Sequence, residues 1–214
     1  MNLALNEIEA IAKKATRGAG YSWGMSEEAA KATRWLCANG IDGVQALATV
    51  LNVADSTEPD KMSPQKISDE WQASSGVMCP LMAGATLSDF AGVGTATKVT
   101  ISKLVAPALL LPFAGMAARQ LGTPVTVEWD GVMVTTDGVA LSLNGAMERL
   151  TTDRSKQVTI RRTDRIGQTF AQHSRATPTD ANWATLNRFA HRTYAPATEE
   201  SRLKGAGAGL SDND

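Results

Sequence analysis

The sequence predicts an α+β fold in which an N-terminal helical unit packs on a mainly antiparallel sheet, with a C-terminal helix and a Gly-rich tail. Three observations carry the prediction. Apolar residues recur at helical spacing through the first third of the chain. From Thr97 onward short segments alternate between apolar and polar residues and are separated by Asp-Gly turns. Helical spacing then returns after Pro178.

In the first helix Ile8, Ile11, Ala12, Ala15 and Ala19 form the apolar stripe. Asn6 and Glu9 stand three apart as a capping-box variant, Lys13, Lys14 and Arg17 suit the negative end of the helix dipole, and Gly18 and Gly20 stop it. A second helix is expected from Ser26 as N-cap, with Glu27 and Glu28 in its first turn, Ala29, Ala32 and Leu36 on one face, and Asn39-Gly40 as its end. Asp42, with Gln45 three residues on, opens a third helix with Val44, Leu47, Ala48 and Leu51 inward. Residues 1–54 therefore read as a helical unit. Residues 55–78, with Pro59, Pro64 and several acids, read as a linker or loop. Residues 79–214 read as the sheet region with its helix and tail, all within one compact domain.

In that last region "TKVTISKL" alternates, and "APALLL", Ala106 to Leu111, has the unbroken apolar character of a buried strand. "PFAGMAARQLG" reads as a short helix closing on Gly122. "PVTVEWDG" and "VMVTTDGVALSL" supply strands, with Asp137-Gly138 as a hairpin signal, and "KQVTIRRT" supplies another. Asp180 would cap a final helix whose Trp183, Leu186 and Phe189 pack back on the sheet.

Lys plus Arg number 21 against 22 Asp plus Glu, which offers no broad cationic surface and argues against nucleic acid. Two cysteines, Cys37 and Cys79, make neither a disulfide framework nor a zinc knuckle and suit a reducing compartment. Glu7 and Glu9 spoil a secretory signal, and the apolar window Leu104 to Ala118 is short and holds two prolines, so no membrane association and a cytoplasmic location are expected. No cofactor motif is present, and two histidines 18 positions apart build no metal site.

The stretch "RGAGYSWGMSEE", Arg17 to Glu28, resembles a phosphate loop only in its glycines, because two carboxylates already occupy the electropositive end of the following helix. It reads better as a joint where Tyr21, Ser22, Trp23 and Glu28 line one pocket, or where the aromatics simply pack the core. Cys79 could act as a nucleophile if the fold brought His173 or His191 to it as a base, or it could be an inert buried thiol. Arg161 and Arg162 must face opposite sides of a strand, so Arg162 could hold an anion in a cleft while Arg161 is solvated, or both could guard an edge strand. In the tail "ESRLKGAGAGLSDND", no helix start follows the glycines to cradle a phosphate. A disordered tail or a glycine-hinged lid bringing Arg202 over the Tyr21 joint remain.

The pair of segments "LNEIEAIAKKATRGAGYSWGMSEEAAKATRWL" and "AHRTYAPATEESRLKGAGAGLSDND" resembles a family of bacterial proteins known only as a domain of unknown function, the resemblance running through the whole chain. It implies a bacterial, cytoplasmic protein and assigns no activity, cofactor or catalytic residue. Two functions are open. One is an enzyme or enzyme-like protein acting on a small anionic metabolite, with Tyr21, Cys79 and an arginine converging between helices and sheet. The other is an accessory protein docking a protein partner through its N-terminal helices.

Overall fold

A computed structural model describes residues 1–92 and 98–194. After a two-residue strand β1 (Leu3–Ala4), the first helix α1 (Leu5–Gly18) is capped by Glu7, whose carboxylate accepts the Ala4 N–H at 2.6 Å, two residues earlier than Asn6 and Glu9 suggest. Helix α2 (Trp23–Ala38) likewise starts four residues before the expected Ser26. Ser22 is the cap, its Oγ accepting from Met25 N at 3.2 Å, while Ser26 is buried inside the helix and donates back to Ser22 O. Both serines are acceptable caps by type. Ser22 wins because its own backbone is extended and leaves Met25 N–H otherwise unpaired. Helix α3 (Gly43–Ala54) is capped by Asp42, which accepts from Gln45 N at 2.8 Å as the sequence implies.

Residues 55–78 carry a 3-10 turn, η1 (Pro59–Met62), and a short strand β2 (Glu70–Trp71), with Met62, Trp71 and Met78 buried. Then come α4 (Pro80–Phe90), β3 (Lys98–Val105), η2 (Pro107–Leu110) and α5 (Leu111–Leu121). "APALLL" is thus a 3-10 turn and the start of a helix rather than a strand. Pro107 and Pro112 each sit at the start of a helical element, where the missing N–H costs nothing, and the run is apolar all round because it is enclosed on every side. Strands β4 (Val125–Trp129), β5 (Val132–Thr136), β6 (Leu141–Asn144) and β7 (Arg154–Arg162) follow, with η3 (Met147–Thr151) before β7. Strand β8 (Arg175–Ala176) pairs with β1, and α6 (Asp180–His191) ends the described chain.

The main sheet runs β2-β3-β7-β4-β5-β6, with β2 and β3 parallel and every other pair antiparallel. The α+β class with a mainly antiparallel sheet is therefore as the sequence predicts. Asp130 and Gly131, both at positive φ (46° and 78°), close the β4–β5 hairpin in the conformation that matches strand twist. Asp137 closes the next, accepting from Val139 N and Ala140 N. Helix α5 packs on β4 and β5, α4 packs on α5, and α2 and α3 lie beyond them against η2 and α5. Helix α6 differs from expectation twice. Thr179, not Asp180, is its cap, accepting from Asn182 N at 3.2 Å, and its Leu186 and Phe189 pack against α1 and α3 rather than the sheet. Gly18 makes that contact possible, since a Cβ there would sit 1.9 Å from Phe189 O. No helix among the described residues is long and apolar enough to cross a membrane.

A closed joint and an open pocket as candidate sites

The structure brings two of the sequence-predicted residues together. The turn after α1 carries Tyr21 inward and the N-cap of α4 carries Cys79, and the Tyr21 hydroxyl lies 3.4 Å from Cys79 Sγ. Both are closed off, Tyr21 at 2 % exposure and Cys79 at 0 %. Burial pushes the Cys79 thiol up, against the opposing hydrogen bonds from Tyr21 and the backbone N–H groups of Met82 and Leu81 at the start of α4. Burial also pushes the Tyr21 phenol up, with the neighbouring Cys79 adding to the rise. No histidine hydrogen-bonds this pair among the described residues. His173 lies against Gly40 at the α2–α3 turn, and His191 stacks edge-on against Tyr194 with ring centroids 5.2 Å apart. A neutral thiol without base or solvent is poorly suited to nucleophilic attack.

The residues after Tyr21 turn outward. The Ser22 hydroxyl is committed to the cap, and Trp23 is 61 % exposed with Arg17 Cζ 5.1 Å and Lys13 Nζ 6.0 Å from its ring centroid. Glu28 pairs with Lys31 at 2.8 Å, and Lys13 with Glu27 at 2.7 Å, which holds the Glu27 carboxyl below its usual range. Tyr21 and Trp23 thus face opposite sides of the joint. Arg202, and the tail read as disordered or as a lid, lie outside the described residues.

A pocket that the sequence only partly signals opens at the β2 end of the sheet, beneath α4 and α5. Its cavity measures about 240 Å³. The floor is apolar: Trp71 from β2, Leu87 from α4, Leu121 from α5, Val125 from β4 and Ile160 from β7. Trp71 is held rigidly, its indole N–H donating to Ser68 O at 2.8 Å, so it presents carbon to the cavity. Ile67 and Phe90, 54 % and 43 % exposed, form an apolar lip.

Four charged residues line this mouth: Asp69, Lys98, Arg161 and Arg162. Strand alternation divides the cations. Val158 and Ile160 are buried under the helices, so Arg162, two residues further along β7, emerges on that covered face. Arg161 points the other way, its Nη2 3.9 Å from Met133 Sδ, and Lys98 is its register partner on the same outer face. Arg162 is therefore the cation on the covered side of the mouth, and Arg161 and Lys98 border it from the outer face. Asp69 reaches the mouth because its carbonyl accepts from Thr100 N at 2.8 Å, which docks the turn before β2 onto β3. Sequence reading passed over Ile67, Asp69, Trp71, Leu87 and Phe90. The segment "ISDEW" held the signal, an acid and a tryptophan two apart as on one face of a strand.

Among the described residues no group of three or more His, Cys, Asp or Glu side chains is placed to hold a metal ion. None of the curated proteins matches the chain. A family described as Protein of unknown function (DUF3726) does match over residues 3–79, which run from β1 through α1–α3 and β2 to Cys79 and include Asp69 and Trp71 but not Arg162. The resemblance to a domain of unknown function thus holds over the N-terminal part of this chain, where the Tyr21–Cys79 joint and one wall of the pocket are built.

Proposed function

We propose that the protein binds a small anionic metabolite with an apolar body in the pocket between α4, α5 and the β2 end of the sheet. The observation that carries this is Arg162, an arginine on the helix-covered face of β7, standing with Asp69, Lys98 and Arg161 at the mouth of a cavity whose floor is apolar. A cation gains most from a carboxylate or phosphate where apolar walls exclude water from one side of the pair. The volume lies just under the roughly 300–1,000 Å³ usual for drug-sized ligands, so the ligand is small. Among the described residues the lining includes no histidine or cysteine, and the role supported is binding rather than nucleophilic chemistry.

Calorimetric titration with hexanoate and hexanol tests it. Hexanoate should bind about tenfold tighter, the Arg162→Gln variant should erase that difference, and Ala91→Trp, which adds an indole at the mouth, should abolish both. Equal binding of acid and alcohol by the wild type, or binding untouched by Ala91→Trp, overturns the reading.

Trp23 supports a second reading, in which the N-terminal helices dock an acidic segment of a protein partner. Its indole stands largely in solvent between Lys13 and Arg17, while Lys14 lies 5.4 Å from the ring of exposed Tyr194. A dye-labelled peptide alternating Glu with Leu should bind in a salt-dependent way and be released by the double variant Lys14→Glu with Arg17→Glu. Absence of binding at low salt removes this reading.

A further inference from the structure

The mouth of the pocket carries an anion as well as a cation. Asp69 and Arg162 line the same cavity, and neither belongs to an ion pair among the described residues. Asp69 directly precedes β2, and β2 and β7 flank β3, so two strand spacings, roughly 9–10 Å across the sheet, together with an offset of about two residues along it, separate the two backbones. That gap is too wide for two backbone-level groups to touch. Only the side chains can reach a shared ligand across it.

Lys98 and Arg161 also line the mouth but from the outer face of the sheet, so on the covered side a simple carboxylate on Arg162 would satisfy the cation and leave the Asp69 carboxylate facing a like charge. A simple amine on Asp69 would leave Arg162 equally opposed. A ligand carrying both charges on one carbon meets both residues, and its side chain then points down between Trp71, Leu87, Leu121, Val125 and Ile160. Resting on the pocket reading above, we propose that the ligand is a zwitterionic apolar α-amino acid, its carboxylate on Arg162 and its ammonium on Asp69. The cavity of about 240 Å³ suits a branched aliphatic or phenyl side chain. Among the described residues, the side chains at its floor are apolar and the Trp71 N–H is already taken.

The decisive measurement is calorimetric titration of the full-length protein with L-leucine and its two truncated forms, 4-methylpentanoate, which lacks the ammonium, and 3-methylbutylamine, which lacks the carboxylate. L-leucine should bind at least about tenfold tighter than either. Asp69→Asn should weaken L-leucine to the level of 4-methylpentanoate while leaving 4-methylpentanoate itself unweakened, and Arg162→Gln should weaken both. Both side chains are solvent-facing, and an unchanged thermal melt confirms that the variants fold. If 4-methylpentanoate matches L-leucine, or Asp69→Asn leaves L-leucine binding intact, the zwitterion assignment falls while the anion pocket stands. If neither L-leucine nor any truncated form binds, the pocket reading falls with it.

Discussion

The Tyr21–Cys79 joint and the Arg162 pocket invert each other. The joint holds a phenol and a thiol 3.4 Å apart, the kind of side chains from which catalytic sites are made, and closes them completely. The pocket holds almost no reactive chemistry, yet it has volume, an apolar lip and two opposite charges without an ion-pair partner among the described residues. Reactive residue types are thus a poor guide to a site unless solvent can reach them. In the joint, hydrogen bonding is satisfied internally and its energy goes into stability. At the pocket, the charged groups are left for something outside the chain.

If that contrast holds, the largest effect belongs to the joint. Tyr21→Ala deletes a buried aromatic wedged between α1, α2 and α4, and should lower unfolding free energy by about 3–5 kcal/mol. The shift would be read from the urea midpoint at unchanged m-value. A loss below about 1 kcal/mol would mean that the joint is loosely packed and accessible after all, and would return Cys79 to consideration as a reactive group.

These two regions were unequally legible in the sequence. The glycines, caps and apolar stripes of residues 1–54 are local signals, so three helices could be read, with errors of one turn where Ser22 and Ser26 compete for the same role. The fate of Tyr21 could not be read, because its closure depends on α4, which begins nearly sixty residues later. "APALLL" misled because a fully enclosed apolar run has no periodicity to separate strand from helix, and its prolines were the better guide. The opposite facing of Arg161 and Arg162 was legible, since alternation along β7 is a property of the strand alone, but which of them turns toward the helices depends on how β7 sits in the sheet. Asp69 and Trp71 were legible only as a spacing of two in "ISDEW", because a two-residue strand docks only through its partner β3, and nothing local marks that pairing. The same limit applies to α6. Its apolar face was plain, but nothing local told whether it met sheet or helices, and the close approach to α1 that Gly18 permits is a long-range contact.

The second effect sharpens the closed character of the helical half through pH. Burial pushes the Cys37 thiol up to about 11 from 9.0, and Cys79 and Tyr21 are shifted in the same direction. An acid whose folded pKa is raised keeps its full stabilising contribution below the unfolded pKa and loses it as pH climbs toward the folded one. Stability should therefore fall between about pH 9 and pH 11, by on the order of 2 kcal/mol from Cys37 alone. Cys37→Ala should flatten that limb relative to its own value at pH 7. A wild-type limb that is already flat would show that these thiols titrate freely and that the joint breathes.

The smallest effect on stability is expected at the pocket, and it separates the two regions most cleanly. Arg162→Gln and Asp69→Asn remove exposed charges that have no ion-pair partner among the described residues, so each should change unfolding free energy by no more than about 0.5 kcal/mol. Removing the cation and removing the anion should also be nearly additive, because their backbones stand two strand spacings apart across β3, at least about 9–10 Å. A double-mutant cycle in urea checks this directly. A coupling well above about 0.5 kcal/mol would mean that Asp69 and Arg162 already satisfy each other across the mouth. The pocket would then be closed in the same sense as the joint, with its charges serving the fold rather than a ligand.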